Sequence, residues 1–247
     1  MNNFMISFII TFIAGISTLF GGFIPFLNIK NKERVILVSL AFAAGIMVSI
    51  SILDLLPSAF GYLLDRSFFS VLGIVLFSFL AGILVFLFMD KGMEFDGDNL
   101  YRVGIFSMIA IIIHNIPEGI ITFILSTSDV KLGLFLGISI ALHNIPEGIS
   151  IMVPIYYGTN SFKKAFLYTL VAGIAEPIGG VIFYLLFKNY INDFMLGVLF
   201  SFIAGVMIYL SFKELLPKSL EYKKGNLTLL FFMVGIVFFL LVHIFMH

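Results

Sequence analysis

Apolar residues run along this chain in eight long blocks, near residues 4–28, 35–58, 67–89, 103–126, 132–155, 165–187, 194–216 and 228–246. A helix needs about 20 residues to cross roughly 30 Å of hydrocarbon, and each block meets that length. Polar residues gather in the short intervals between blocks. The pattern therefore predicts an all-α membrane protein of eight transmembrane helices, with one membrane domain over 1–247 and no soluble domain. The first block has no Lys or Arg ahead of it and no clear small-residue cleavage site, so it reads as a retained span rather than a signal peptide.

Two blocks are interrupted by the same six letters, HNIPEG, at 114–119 and again at 143–148. Residues four apart share a helix face, so His114 and Glu118 point one way on the fourth span, as do His143 and Glu147 on the fifth. Asn115 and Asn144 border the same stripes. Pro117 and Pro146 each remove a backbone N–H and crowd the carbonyls of Ile113 and Leu142, which predicts a kink and bare oxygens beside each cluster. The sixth span adds Glu176 at a similar depth, in AGIAEPIGG. A carboxylate at the bilayer centre costs on the order of 2.5–3.5 kcal/mol, so protons or cations must offset it. Imidazole nitrogen beside carboxylate and amide oxygen suits Zn²⁺, Fe²⁺, Co²⁺ and Mn²⁺, whose binding releases protons. A lone intramembrane histidine is ordinarily helix packing. Two with identical companions, joined by a third central glutamate, point to an ion site.

The chain also matches itself. AFAAGIMVSISILDLLPSAF at 41–60 aligns without gaps on SFIAGVMIYLSFKELLPKSL at 201–220, and GISTLFGGFI at 15–24 aligns on GIAEPIGGVI at 173–182. Spans 1 and 2 thus match spans 6 and 7. An offset of five spans reverses direction through the membrane, which predicts a 3+2+3 inverted repeat: spans 1–3 (4–89) and 6–8 (165–246) around central spans 4 and 5 (103–155). Asp54 falls on Glu214, whereas Glu176 falls on Thr18.

Charge orients the spans. The loops after spans 1, 3, 5 and 7 hold ten of the fourteen Lys and Arg: Lys30, Lys32, Arg34, Lys91, Arg102, Lys163, Lys164, Lys218, Lys223 and Lys224. The other loops hold Arg66, Lys131 and Lys188. Basic loops stay cytoplasmic, which puts both termini outside. The chain is 61% hydrophobic and 11% charged, with basic and acidic residues in balance, so nothing points to nucleic acid. The absence of Cys excludes disulfides, thiolate metal sites and cysteine nucleophiles.

The doubled HNIPEG on adjacent spans, GIAEPIGG on the next, and DLLP and KELLP on spans 2 and 7 resemble the ZIP family of divalent-metal transporters, most closely its bacterial ZupT-type branch. The resemblance runs essentially end to end. It implies a multi-pass protein of the bacterial cytoplasmic membrane that carries zinc, and also iron, manganese or cobalt, into the cell by alternating access. It further implies a two-metal centre. His114, Glu118, His143 and Glu147, with Met47 of span 2, would form one site. Asn115, Glu118, Asn144, Glu147 and Glu176 would form the other, with Glu118 and Glu147 bridging. Met47 reads equally as a core filler, and the asparagines equally as residues that orient the ligands. Two departures stand out: span 5 lacks the H-E-x-P-H-E of many eukaryotic members, and the loop after span 3, DKGMEFDGDN, is acidic without histidine.

Asp54 near the outer end of span 2 and Glu214 near the inner end of span 7 are candidate way stations, and Lys213 beside Glu214 reads either as its salt-bridge partner or as a snorkelling cation. His243 and His247 read as structural or incidental. A membrane-embedded di-metal enzyme could use the same ligands with a metal-bound water, but HExxH and a separate acid, base or oxyanion donor are missing, so the chain reads as no enzyme and needs no catalytic cofactor. A proton-coupled carrier of another solute is the other rival; the cluster has no Arg to hold an anion. The expected partners are divalent metal ions and the lipid bilayer, and a homodimer is left open.

Overall fold

A computed structural model describes residues 3–26, 31–92, 99–187 and 192–246. Lys30, Lys188, His247 and the loop residues Glu94, Asp96 and Asp98 lie outside the described residues, as do the side chains of Asp90 and His143. Among the described residues there is no strand, and eight helices are long and apolar enough to cross a membrane. They are α1 (Asn3–Gly22), α2 (Lys32–Tyr62), α3 (Phe68–Met89), α4 (Leu100–Thr127), α5 (Gly133–Thr159), α6 (Phe162–Leu186), α7 (Asp193–Leu220) and α8 (Gly225–Ile244). Hydrocarbon offers no water to backbone groups, so each span satisfies them internally as helix. Hydroxyls follow the same rule: Thr11, Thr169 and Ser201 each donate to the carbonyl four residues back. The helical pattern continues through Pro117, Pro146, Pro154 and Pro177.

Helices α2 and α7 are built alike. Each starts on an asparagine cap: Asn31 Oδ1 accepts from the Arg34 N–H at 3.0 Å and Asn192 Oδ1 from the Met195 N–H at 2.9 Å. Each opens into one π turn, Ser51–Leu55 and Ser211–Leu215, just ahead of Pro57 and Pro217. Proline lacks the N–H that would close an ordinary turn, and its ring crowds the carbonyl four residues back; a wider turn relieves both. Asp54 and Glu214 sit in these two turns. Both helices extend past the apolar blocks, to Tyr62 and Leu220.

Helices α1, α4, α5 and α6 pack around one another, while α2 pairs with α8 and α3 with α7. The last two contacts use one device four times. Phe42, Phe79, Phe202 and Phe232 each precede a glycine by three residues, and each offers its carbonyl oxygen to a glycine of the facing helix: Phe232 to Gly45 and Phe42 to Gly235, Phe79 to Gly205 and Phe202 to Gly82. A Cβ at any of these glycines would overlap that oxygen, so the helices cross at backbone distance, as small residues permit in membranes. The outer faces of α3 and α8 carry exposed Phe69, Phe77, Phe88, Leu229, Val237 and Ile244, the surface expected against lipid.

Gly205→Ala is expected to lower the melting temperature of the detergent-solubilised protein by several degrees, because overpacking costs about 1–3 kcal/mol. Gly73→Ala, whose new methyl meets nothing within 4 Å, should leave it unchanged. Equal melting of the two variants would contradict the close crossing.

Candidate metal centre

The polar cluster lies where α1 and α6 cross α4 and α5. Each hexapeptide ends in a glycine because a crossing helix lies against it: Gly119 abuts the Glu176 carbonyl of α6, and Gly148 the Thr18 carbonyl of α1. Each asparagine ties down the same crossing. Asn115 Nδ2 donates to the Ala172 carbonyl at 2.9 Å and Asn144 Nδ2 to the Ala14 carbonyl at 2.9 Å. A carbonyl oxygen only accepts, so these bonds fix which end of each amide is nitrogen. Thr18 and Glu176, paired in the self-alignment, thus occupy equivalent places against the two hexapeptides.

Within the cluster, His114 Nε2 lies 3.1 Å from Glu118 Oε1 and 3.3 Å from Glu147 Oε1. Asn144 Nδ2 also donates to Glu176 Oε2 at 2.8 Å. His114 and Glu118 of α4, Asn144 and Glu147 of α5 and Glu176 of α6 are thus brought together, and His114, Asn115, Asn144, Glu147 and Glu176 are all fully buried, with Glu118 7% exposed. Donors on a tetrahedral zinc ion at about 2.0–2.1 Å stand about 3.3 Å apart, so the two imidazole-to-carboxylate separations match edges of such a shell. The set is not closed as it stands: among the described residues no trio of His, Asp or Glu encloses a ready-made ion site. Acceptors nevertheless remain. Asn115 Oδ1, Asn144 Oδ1, Glu147 Oε2 and Glu176 Oε1 are buried with no hydrogen-bond partner among the described residues. Buried polar atoms ordinarily find partners, and these four oxygens call for a hydrogen-bond donor or a cation.

One cavity reaches the cluster. It measures about 160 Å³ and is lined by Asp54, Ser58, Tyr62, Leu136, Phe200 and Glu118, among others. At about 30 Å³ per water it holds several molecules, and it joins the π turn of α2 to the one glutamate of the cluster with exposed surface. A larger apolar groove of about 460 Å³, bordered by Ile112, Ile116, Val171 and Ile178, holds none of the candidate ligands.

Of the remaining candidates, Met47 is fully buried in the apolar core. Asp54 is half-buried and accepts a long hydrogen bond of 3.4 Å from Ser58. Glu214 is 5% exposed. Of the two readings of Lys213, the bridge to Glu214 is overturned: Lys213 is exposed, and Glu214 pairs with Arg102, Nη2 to Oε1 3.8 Å. Adjacent residues diverge around a helix, and Arg102 reaches Glu214 from α4. His243 stacks on Phe239, ring centroids 5.6 Å apart.

A family model described as "ZIP Zinc transporter" matches residues 93–243. A protein called zinc transporter ZupT from Clostridium perfringens is 37% identical over 96% of this chain and 94% of its own length. Proteins of the same name from Streptococcus mutans and Campylobacter jejuni are each 38% identical over 90% of this chain, covering 90% and 89% of their own lengths. The chain belongs to the ZIP family. As a ZIP protein it is a multi-pass cell-membrane transporter of divalent metal ions and not an enzyme.

Asn144 holds both Ala14 and Glu176, so Asn144→Ala is expected to weaken zinc binding to the purified ZIP protein at least about tenfold, the range for groups that orient metal ligands. Isothermal titration calorimetry checks this, with Ser78→Ala, buried on α3, as the control. Affinity unchanged in Asn144→Ala would remove that residue from the site.

Proposed function

We propose that this protein takes up zinc, and also iron, manganese or cobalt, by passing the ion through a two-metal site at the middle of the membrane. The observation that carries this reading is the meeting of one imidazole nitrogen and two carboxylates at 3.1 and 3.3 Å, next to buried oxygens that lack donors among the described residues. His114, Glu118, His143 and Glu147, with Met47, take one ion. Asn115, Glu118, Asn144, Glu147 and Glu176 take the other, and Glu118 and Glu147 bridge. The relatives' printed name, zinc transporter, favours zinc.

The ion enters past Asp54, sheds water in the cavity that ends on Glu118, and meets the donors. It leaves past Glu214 toward the cytoplasm when the cavity closes and the opposite face opens. Ligands give up protons as metal arrives. Two inverted copies of the fold supply this alternation, and several recurrences support that view: the π turns at Asp54 and Glu214, the matched Asn115 and Asn144 anchors, and the matched α2–α8 and α3–α7 crossings. The basic loops after spans 1, 3, 5 and 7 favour both termini outside.

Uptake of labelled Zn²⁺, Fe²⁺, Mn²⁺ and Co²⁺ into proteoliposomes tests the reading. Glu118→Ala with Glu147→Ala is expected to abolish flux of all four ions, and undiminished flux would contradict the pathway. His143→Ala should keep some transport but change the ranking of the ions, whereas an unaltered ranking would take His143 out of selection.

A further inference from the structure

We propose that Arg102 acts as a tethered cation that seals the cytoplasmic path by pairing with Glu214, and that an outgoing divalent ion must displace it. The inference rests on the reading of Glu214 as the inner way station.

The two π turns are alike in sequence and shape but differ in their charge partners. Asp54, in the turn of α2, is half-buried, accepts only from the Ser58 hydroxyl among the described residues, and faces the cavity that reaches Glu118. Glu214, in the turn of α7, is buried and has the Arg102 guanidinium 3.8 Å away. Arg102 itself is braced, its guanidinium 5.1 Å from the centre of the Phe106 ring. The carboxylate of α2 thus faces a cavity with no cation beside it among the described residues, while that of α7 is buried and paired.

The hexapeptides lie 29 residues apart, and the same step carries Arg102 onto Lys131. Lys131 stands exposed just ahead of α5, and among the described residues no ion pair joins it to Asp54. The structure pairs one end and releases the other, as a device with alternating seals requires.

Charge arithmetic fits a divalent cargo. A buried carboxylate needs a cation beside it, and Arg102 supplies one while no ion is passing. At equal distance a divalent ion attracts the carboxylate twice as strongly as a single charge does, and so competes where a monovalent ion gains nothing over Arg102. The 3.8 Å separation exceeds that of a charge-assisted hydrogen bond; a contact of that length is readily exchanged.

The chain contains no Cys, so one engineered thiol reports on accessibility without background. Ser107→Cys places it on α4 between Arg102 and His114, at a position that is fully buried. Oriented proteoliposomes are treated from either side with a membrane-impermeant thiol reagent. Arg102→Gln and Glu214→Gln break the same pair from opposite ends. Each is expected to speed labelling from the cytoplasmic side on the order of tenfold, while Arg102→Lys stays near the parent rate. Labelling unchanged in whichever of the two glutamine variants folds, or equally fast in Arg102→Lys, overturns the proposal. Zinc flux separates the two layers. Faster labelling with undiminished flux in Glu214→Gln supports the seal and removes Glu214 as an ion station. Faster labelling from the opposite side alone overturns the cytoplasmic assignment of the seal.

Discussion

Carboxylates buried among apolar helices set the terms for the rest of this molecule. Glu118, Glu147 and Glu176 are held together at the centre of an apolar bundle with one described imidazole, and only Glu118 retains any exposed surface. Several kcal/mol stand against each buried charge even after relaxation, so the arrangement persists only if protons or metal ions share the site. The four-helix cluster of α1, α4, α5 and α6 exists around that need. Asn115 and Asn144 fasten the crossing helices, and Gly119 and Gly148 let them approach to backbone distance.

The hexapeptide is therefore a compact specification of a helix crossing as much as a set of ligands. His114, Glu118 and Glu147 face the cluster, each Asn anchors the neighbour, Pro withholds an N–H, and Gly leaves room for a carbonyl. Around this cluster, α2 and α7 supply the charged π turns and α3 and α8 complete the bundle against lipid. Asp54 shares a cavity large enough for several waters with Glu118, whereas Glu214 shares an ion pair with Arg102. A chain with no net charge thus places the few charges on its spans in unequal environments.

Much of this was legible in the sequence, for identifiable reasons. Membrane spans must satisfy their own backbone, so hydropathy alone marked all eight helices. The four-residue step of a helix put His114 beside Glu118, and the duplicated motif brought Glu147 into the same place. Other features lacked a one-dimensional signal. The π turns depend on how Pro57 and Pro217 are accommodated, and proline inside α4 and α5 produced no such turn, so proline by itself does not announce one. Arg102 looked like one more cytoplasmic loop cation, because nothing twelve residues before His114 marks it as a partner for α7. Lys213 misled by adjacency. The four Phe-x-x-Gly steps were visible in principle, but only the structure shows that each phenylalanine contributes its carbonyl oxygen to the facing glycine.

The central claim is that an ion exchanges its water for the side chains of α4, α5 and α6 at the middle of the membrane. X-ray absorption spectroscopy of zinc bound to the lipid-reconstituted protein tests it most directly. The account expects a shell of nitrogen and oxygen at about 2.0–2.1 Å, with imidazole scattering that disappears when His114 and His143 are both replaced by alanine. A shell with no imidazole scattering in the unaltered protein, or one unmoved by those replacements, would contradict it.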